Sequence, residues 1–201
     1  MNIKINFKNR AFNKPNGNLV LFVDEKFNIS GLKKLISKSE YFYILDLLKS
    51  EDPKKKILFF DISSKRKIIL ISFKKNFSYS DAENLGAKCF DLFNQLKKNE
   101  YTINPDSLSS TMKNLVGFFL HGIKLKSYKF EKYKTKKDKR SISINVVGKN
   151  IPNKKDQNKF KALEDGTFYT RDLVSEPGNI LHPDEYVKRI KSLTKFGLKI
   201  N

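Results

Sequence analysis

Apolar and polar residues alternate from the start of the chain, and Ile3, Ile5 and Phe7 predict a half-buried strand over residues 3–7. A second apolar run covers 19–23, after turn chemistry at Pro15 and Gly17. Residues 31–37 suit a short helix. Over 41–48 nearly every residue is apolar, and periodicity leaves helix and buried strand both open. Beyond the break at Asp52 and Pro53 come ILFFDI (57–62) and KIILISF (67–73), joined by a linker short enough for a hairpin. Both runs are apolar on both faces, the pattern of central strands in a sheet covered by helices.

The period then lengthens. Ser80 with Glu83 three residues on predicts a capping box, and Ala82, Leu85, Cys89, Leu92 and Leu96 follow at helical spacing. Cys89 falls on the buried face, where a core role outweighs that of a reactive nucleophile. A second helix is expected over 107–122, with Leu108, Met112, Leu115, Val116, Phe119, Leu120 and Ile123 as its apolar face. His121 lies near the expected end of that helix, so an interaction with its dipole is the expected role. In 122–140, Tyr128, Phe130 and Tyr133 interleave with lysines. The expected form is an extended segment packing its aromatics inward, then a solvated lysine loop; a single-strand stacking platform for nucleic acid is the other reading. Ser141–Val147 alternates cleanly, with Ile142, Ile144 and Val146 on one face.

The polar stretch 148–156 reads as a linker. A long helix is expected over 155–175, with Phe160, Leu163, Thr167, Thr170 and Val174 on one side. It stops at Pro177, because proline disfavours helix in the residue before it. Gly178 and Asn179 supply the turn, and Pro183 opens another helix to 195 with Val187, Ile190 and Leu193 inward. Gly197 ends it, and 198–200 reads as the first residues of a strand in which the chain stops.

At 201 residues there is room for one domain with a real core and a remainder. The net charge of +20 points to acidic partners, yet only five of the 41 basic residues are arginine (Arg10, Arg66, Arg140, Arg171, Arg189). Arginine is the residue favoured at nucleic-acid sites, so evenly spread lysine reads first as compositional bias. Cys89 is the only cysteine, which excludes an intrachain disulfide and suggests a reducing compartment. The N-terminus has no signal-peptide apolar region, and runs such as IILI at 68–71 are far short of a membrane span. A cytoplasmic protein is expected.

Known catalytic patterns are absent from the sequence: no H-E-x-x-H, no G-x-S-x-G, no P-loop and no dinucleotide fingerprint. Asp172, Glu176, His182 and Asp184 crowd one corner, which invites reading it as a site, but the punctuation around them makes it a hinge.

Two segments resemble one family, the leucyl aminopeptidases. GIKLKSYKFEKYKT at 122–135 is similar to that family's G-x-x-L-x-x-Y-x-F-x-x-Y-K-T segment. RDLVSEPGNILHPDEY at 171–186 resembles its Arg-Asp-Leu-Val-Asn-Glu-Pro-x-Asn-x-Leu-x-Pro joint, matching at Arg171, Asp172, Leu173, Val174, Glu176, Pro177, Asn179, Leu181 and Pro183. It departs at Ser175 and at His182, where the family's threonine would cap the helix better.

The resemblance implies an α/β fold: a macro-domain-like mixed sheet with helices on both faces, a long connecting helix, and the truncated start of a second α/β domain. The implied boundaries are 1–150 for the first domain and 151–201 for the remainder. It implies a cytosolic hydrolase removing N-terminal residues from peptides as a homo-oligomer, a hexamer, with two divalent metals, manganese or zinc. The family's metal ligands lie in a downstream segment that this sequence does not contain. No residue here is therefore assigned as catalytic, cofactor-binding or metal-binding, and the 201 residues are expected to be inactive alone, with an assembly role. A basic nucleic-acid-binding module is the alternative.

Overall fold

The computed structural model describes residues 2–13, 17–52, 54–109, 112–136, 138 and 140–200. Pro15, Pro53 and two residues of the helix expected at 107–122, Ser110 and Thr111, lie outside them, as do Lys137 and Lys139 of the lysine loop. The sheet is built around β2 (Asn18–Val23), NLVLFV, whose six residues are all buried. Such a run can lie only where both faces are covered. It pairs in parallel with β4 (Arg66–Ser72), Leu19 opposite Ile68, and with β5 (Glu100–Asn104), Leu19 opposite Thr102. Adding β1 (Asn2–Lys8), β6 (Ser141–Val147) and β3 (Ile57–Ser63) gives six strands in the order β1-β6-β5-β2-β4-β3. Only β3 runs antiparallel, hairpinned to β4 as expected. It is an edge strand, however, and the expectation of two central strands fails for it: Phe59 is 44% exposed.

One face of the sheet carries α2 (Tyr79–Leu96) and α3 (Leu115–Lys126), packed on Val20, Phe22, Ile69, Ile71, Ile103 and Ile144. The capping box of α2 is Ser78 with Asp81, two residues before the expected pair; Ser78 Oγ accepts from Asp81 N at 3.1 Å. Cys89 lies fully buried on this face, and burial pushes its thiol pKa up, so the core reading holds. The two helices cross very closely, because a Cβ on Gly122 would sit 1.9 Å from the Glu83 carbonyl oxygen and one on Gly86 2.0 Å from that of Phe119. α3 starts later than expected, after a 3-10 turn at Pro105–Ser107. It also runs on to Lys126, which removes His121 from the helix end.

The opposite face is covered by α1 (Lys38–Leu47) and a 3-10 turn at Ser30–Lys34 over Leu19, Leu21, Ile68, Leu70 and Phe60. The ambiguous run at 41–48 is thus helical, decided by a capping box at Ser37 and Glu40. Nearer β1 this face is a polar ladder instead, Asn6 Nδ2 donating to Ser143 Oγ and Asn145 Oδ1 at 3.3 Å.

α4 (Lys154–Ser175) leaves the sheet and lies along α3; α5 (Pro183–Lys191) follows the corner. Leu163 and Val174, expected inward on α4, are exposed, as is Val187 on α5. The helical period holds and Phe160 packs inward as expected, but the rest of the docked face is polar, α4 meeting α3 through Glu164 and not through Leu163. Gly197 ends the last 3-10 turn in the left-handed region at φ 86, as expected, but 198–200 form no strand.

Candidate functional site

The two family-like segments meet in space. Residues 122–126 are the end of α3, and the segment that follows is irregular and forms no strand; Tyr128 and Phe130 are half-buried in keeping with the expected inward packing, while Tyr133 is exposed. It folds back over the C-terminal half of α4. Tyr128 tilts against Phe168 with ring centroids 5.3 Å apart, takes the Arg171 guanidinium over its ring at 5.5 Å, and donates its hydroxyl to Asp172 Oδ1 at 2.8 Å. Arg171 Nη1 donates to the Leu125 carbonyl at 2.8 Å, tying the end of α4 to the end of α3. The aromatics read as a stacking platform are thus engaged by the chain itself at Tyr128, and Tyr133 gives its hydroxyl to Glu176.

Glu176 is the centre of this joint. Proline at 177 stops the helix there and holds Glu176 in extended backbone, at φ −69 and ψ 138. Its side chain, only 1% exposed, accepts from Lys132 and Tyr133 on one side and from Arg189 Nη1 of α5 at 2.8 Å on the other. Arg189 Nε also pairs with Glu185 at 2.9 Å, and its carbonyl accepts from the Tyr169 hydroxyl at 2.8 Å. One carboxylate therefore ties the 128–133 loop, the end of α4 and α5 together. The bonds from Lys132, Tyr133 and Arg189 draw the Glu176 carboxyl down to about 2, against the cost of desolvation. The same contacts raise Lys132, Tyr133 and Arg189. Such an arrangement holds geometry; a carboxylate so depressed is a poor proton acceptor near neutrality.

At the other end of α4, His121 is buried between two helices. Its Nδ1 lies 3.1 Å from Glu164 of α4 and its Nε2 3.5 Å from Glu83 of α2. The ring of Phe160 packs edge-on to Phe118 at 5.0 Å and occupies the space over Gly117, where a Cβ would approach it to 2.4 Å. A cavity of about 540 Å³ opens beside them, between α4 and β1. Thus His121 fastens a helix; the dipole role expected of it does not apply.

Of the four polar residues crowded at the corner, Asp172 and Glu176 are taken up by the loop, while His182 and Asp184 are exposed at the start of α5. His182 makes no side-chain cap bond, consistent with the departure noted at that position. Among the described residues no three His, Cys, Asp or Glu side chains converge to hold a metal ion. Of the residues that define the joint, Lys132 was not named from the sequence, Arg189 was only counted among the arginines, and Tyr133 was read only as one of the interleaved aromatics. The family-like spacing held Tyr133 and Glu176 in view, but nothing in it pairs them across 43 residues.

The architecture is that of a mixed α/β domain with α4 docked along α3, and it recurs in solved structures. A tomato leucine aminopeptidase mutant superposes with a TM-score of 0.73 at 18% identity, over 96% of this chain and 42% of that one. The bottromycin maturation enzyme BotP, solved in complex with Mn, gives 0.63 at 10% identity, over 90% and 37%. In sequence, a probable cytosol aminopeptidase of Phytoplasma australiense is 32% identical over 119 residues, 57% of this chain and 24% of the relative. One of Ehrlichia ruminantium (strain Gardel) is 31% identical over 140 residues, 66% and 27%. The chain thus spans about a quarter of the length of these curated relatives. No family model matches it. The chain is related to the leucyl aminopeptidases, in the N-terminal region of their fold.

Proposed function

We propose that these residues form the N-terminal unit of a metal-dependent aminopeptidase that removes N-terminal residues from peptides in the cytoplasm. The unit itself supplies scaffold and assembly surfaces, in a homo-oligomer of the hexameric kind. The observation that carries this reading is the joint: the two segments that resemble the family are bonded to each other at Glu176, which fixes α5 relative to the sheet. A joint with three donors on one carboxylate suits a place where a second domain must be held at a set angle. The two divalent metals, manganese or zinc, belong in this reading to a region outside these residues, since the acidic groups here are spread over the surface or spent on caps and ion pairs.

Purified chain supplied with manganese is expected not to hydrolyse leucine anilides, and measurable turnover would overturn the scaffold role. In a second arm, a chimera continuing from α5 into the matching region of a related cytosol aminopeptidase should be active. A chimera that folds and stays inactive would count against the N-terminal-unit reading.

A further inference from the structure

The sheet has two edges, and the described residues cover only one. At β1, Lys124 Nζ donates to the Ile3 carbonyl at 2.7 Å, and α4 walls the groove beside it. At the other edge, no strand follows β3 among the described residues. The Ser72 amide donates to the Lys56 carbonyl at 2.8 Å, and the register sets Ile57 opposite Ile71. Antiparallel alternation then gives the ladder bonds to Leu58 and Phe60 and turns the N–H and C=O of Ile57, Phe59 and Asp61 outward. In agreement, the Asp61 carbonyl is within reach of a hydroxyl from outside the ladder, that of Tyr43 at 3.5 Å.

Open edges are normally blunted by inward charge, proline or a bulge. β3 has its bulge only at the far end, at Asp61 and Ser63, while Phe59 and Tyr43 stand 44% and 47% exposed on its two sides. A groove of about 630 Å³ runs between β3 and α2, with Ile57, Phe59 and Leu92 along it and Lys54, Lys56 and Lys88 at its rim. Its two carboxylates are already paired, Glu51 with Lys55 and Asp91 with Lys126, so the remaining charge is positive.

We infer that β3 takes up an extended acidic peptide as an added strand. The outward backbone groups supply the hydrogen bonds, an apolar residue of the peptide covers Phe59, and its carboxylates reach Lys54 and Lys88. A second copy of this chain is a poor occupant of this edge, because its β3 would bring Lys54, Lys56 and Lys88 against the same lysines.

The probe is a capped, fluorescently labelled peptide of about ten residues, valine at the centre and glutamate at both ends. By anisotropy at low salt it should bind the 201-residue chain, whereas the same peptide with lysine for glutamate should not. Amide shifts should centre on Ile57, Phe59 and Asp61. Phe59→Pro deletes an outward N–H and no ladder bond, and should weaken binding by roughly tenfold or more. Phe59→Ala, which keeps the N–H, should weaken it less. If the proline variant does not fold, the double variant Lys54→Glu with Lys88→Glu decides: it should come to prefer the lysine peptide. No binding of the glutamate peptide overturns the inference. So does binding that Phe59→Pro leaves unchanged, which would be surface attraction only, or peptide-free dimerisation that this variant abolishes.

Discussion

Glu176 shows how much of one residue's role a sequence can carry. Its place before Pro177 and within a family-like motif marked it as part of a joint. That Lys132, Tyr133 and Arg189 would converge on it was hidden, because pairing across the fold leaves no periodic trace in the chain. The consequence is testable by pH. The carboxyl sits at about 2 instead of its ordinary 4.5, so the joint gains stability from Glu176 at pH above about 4.5 and loses it as the pH falls towards 2. Glu176→Gln should remove that acid transition, leaving Lys132 without its anion and Arg189 with Glu185 alone. Hydrogen exchange should then rise together in 128–133 and 183–191, with the sheet unchanged. A variant whose loop and α5 stay protected would show that Glu176 does not hold them.

At the scale of elements, the period of most apolar runs was legible and the partner was not; 41–48 left helix and strand both open, and the short strand β5 went unread. β1, β2, β4 and β6 follow from alternation or from runs buried on both sides. The edge position of β3 did not, since ILFFDI is as apolar as a central strand and only the strand order tells them apart. The α4 stripe held at Phe160 and failed at Leu163 and Val174 for a related reason: the docked face also uses Glu164 and Arg171, both polar, and a hydrophobic stripe cannot see a hydrogen bond to His121 or to the Leu125 carbonyl. Phe160→Ala should loosen α4 at a cost of about 1–2 kcal/mol for a half-buried ring, read as faster exchange along 154–175. Glycine matters more in α2 and α3 than composition suggests. Gly122→Ala places a methyl against the Glu83 carbonyl, a backbone atom that cannot swing away. A loss of about 1–3 kcal/mol is expected, lowering Tm by roughly 2–4 °C for each kcal/mol. An unchanged melt would mean that the helices slide apart freely.

For the whole molecule, charge and apolar surface pull in opposite directions. Val174, Val187, Phe196 and Leu198 are exposed around the corner and α5, and apolar side chains left in water favour association. The net charge of +20 opposes it. Raising salt shortens the screening length from about 30 Å at 0.01 M to about 8 Å at 0.15 M. Light scattering by the purified chain should therefore grow with salt, and Val187→Lys should suppress the growth. Scattering that falls with salt would show that ion pairs, not apolar faces, drive the contact. Overall charge was readable at once from composition; where the apolar surface collects depends on which side of α4 docks.

The placement of β6 has a further consequence, in the order of synthesis. β1 precedes the other five strands of the sheet, yet β6, its one neighbour among the described residues, emerges more than 130 residues later, with Ile3 opposite Ile142. The β2-β4-β3 unit can pair as soon as residue 72 has left the ribosome, and β5 can join it soon after. Throughout that interval the N-terminal strand has nowhere to go. A nascent chain stalled before β6 appears should hold β2 and β4 protected while residues 2–8 remain open to protease, a window in which a chaperone would find its first grip on this protein.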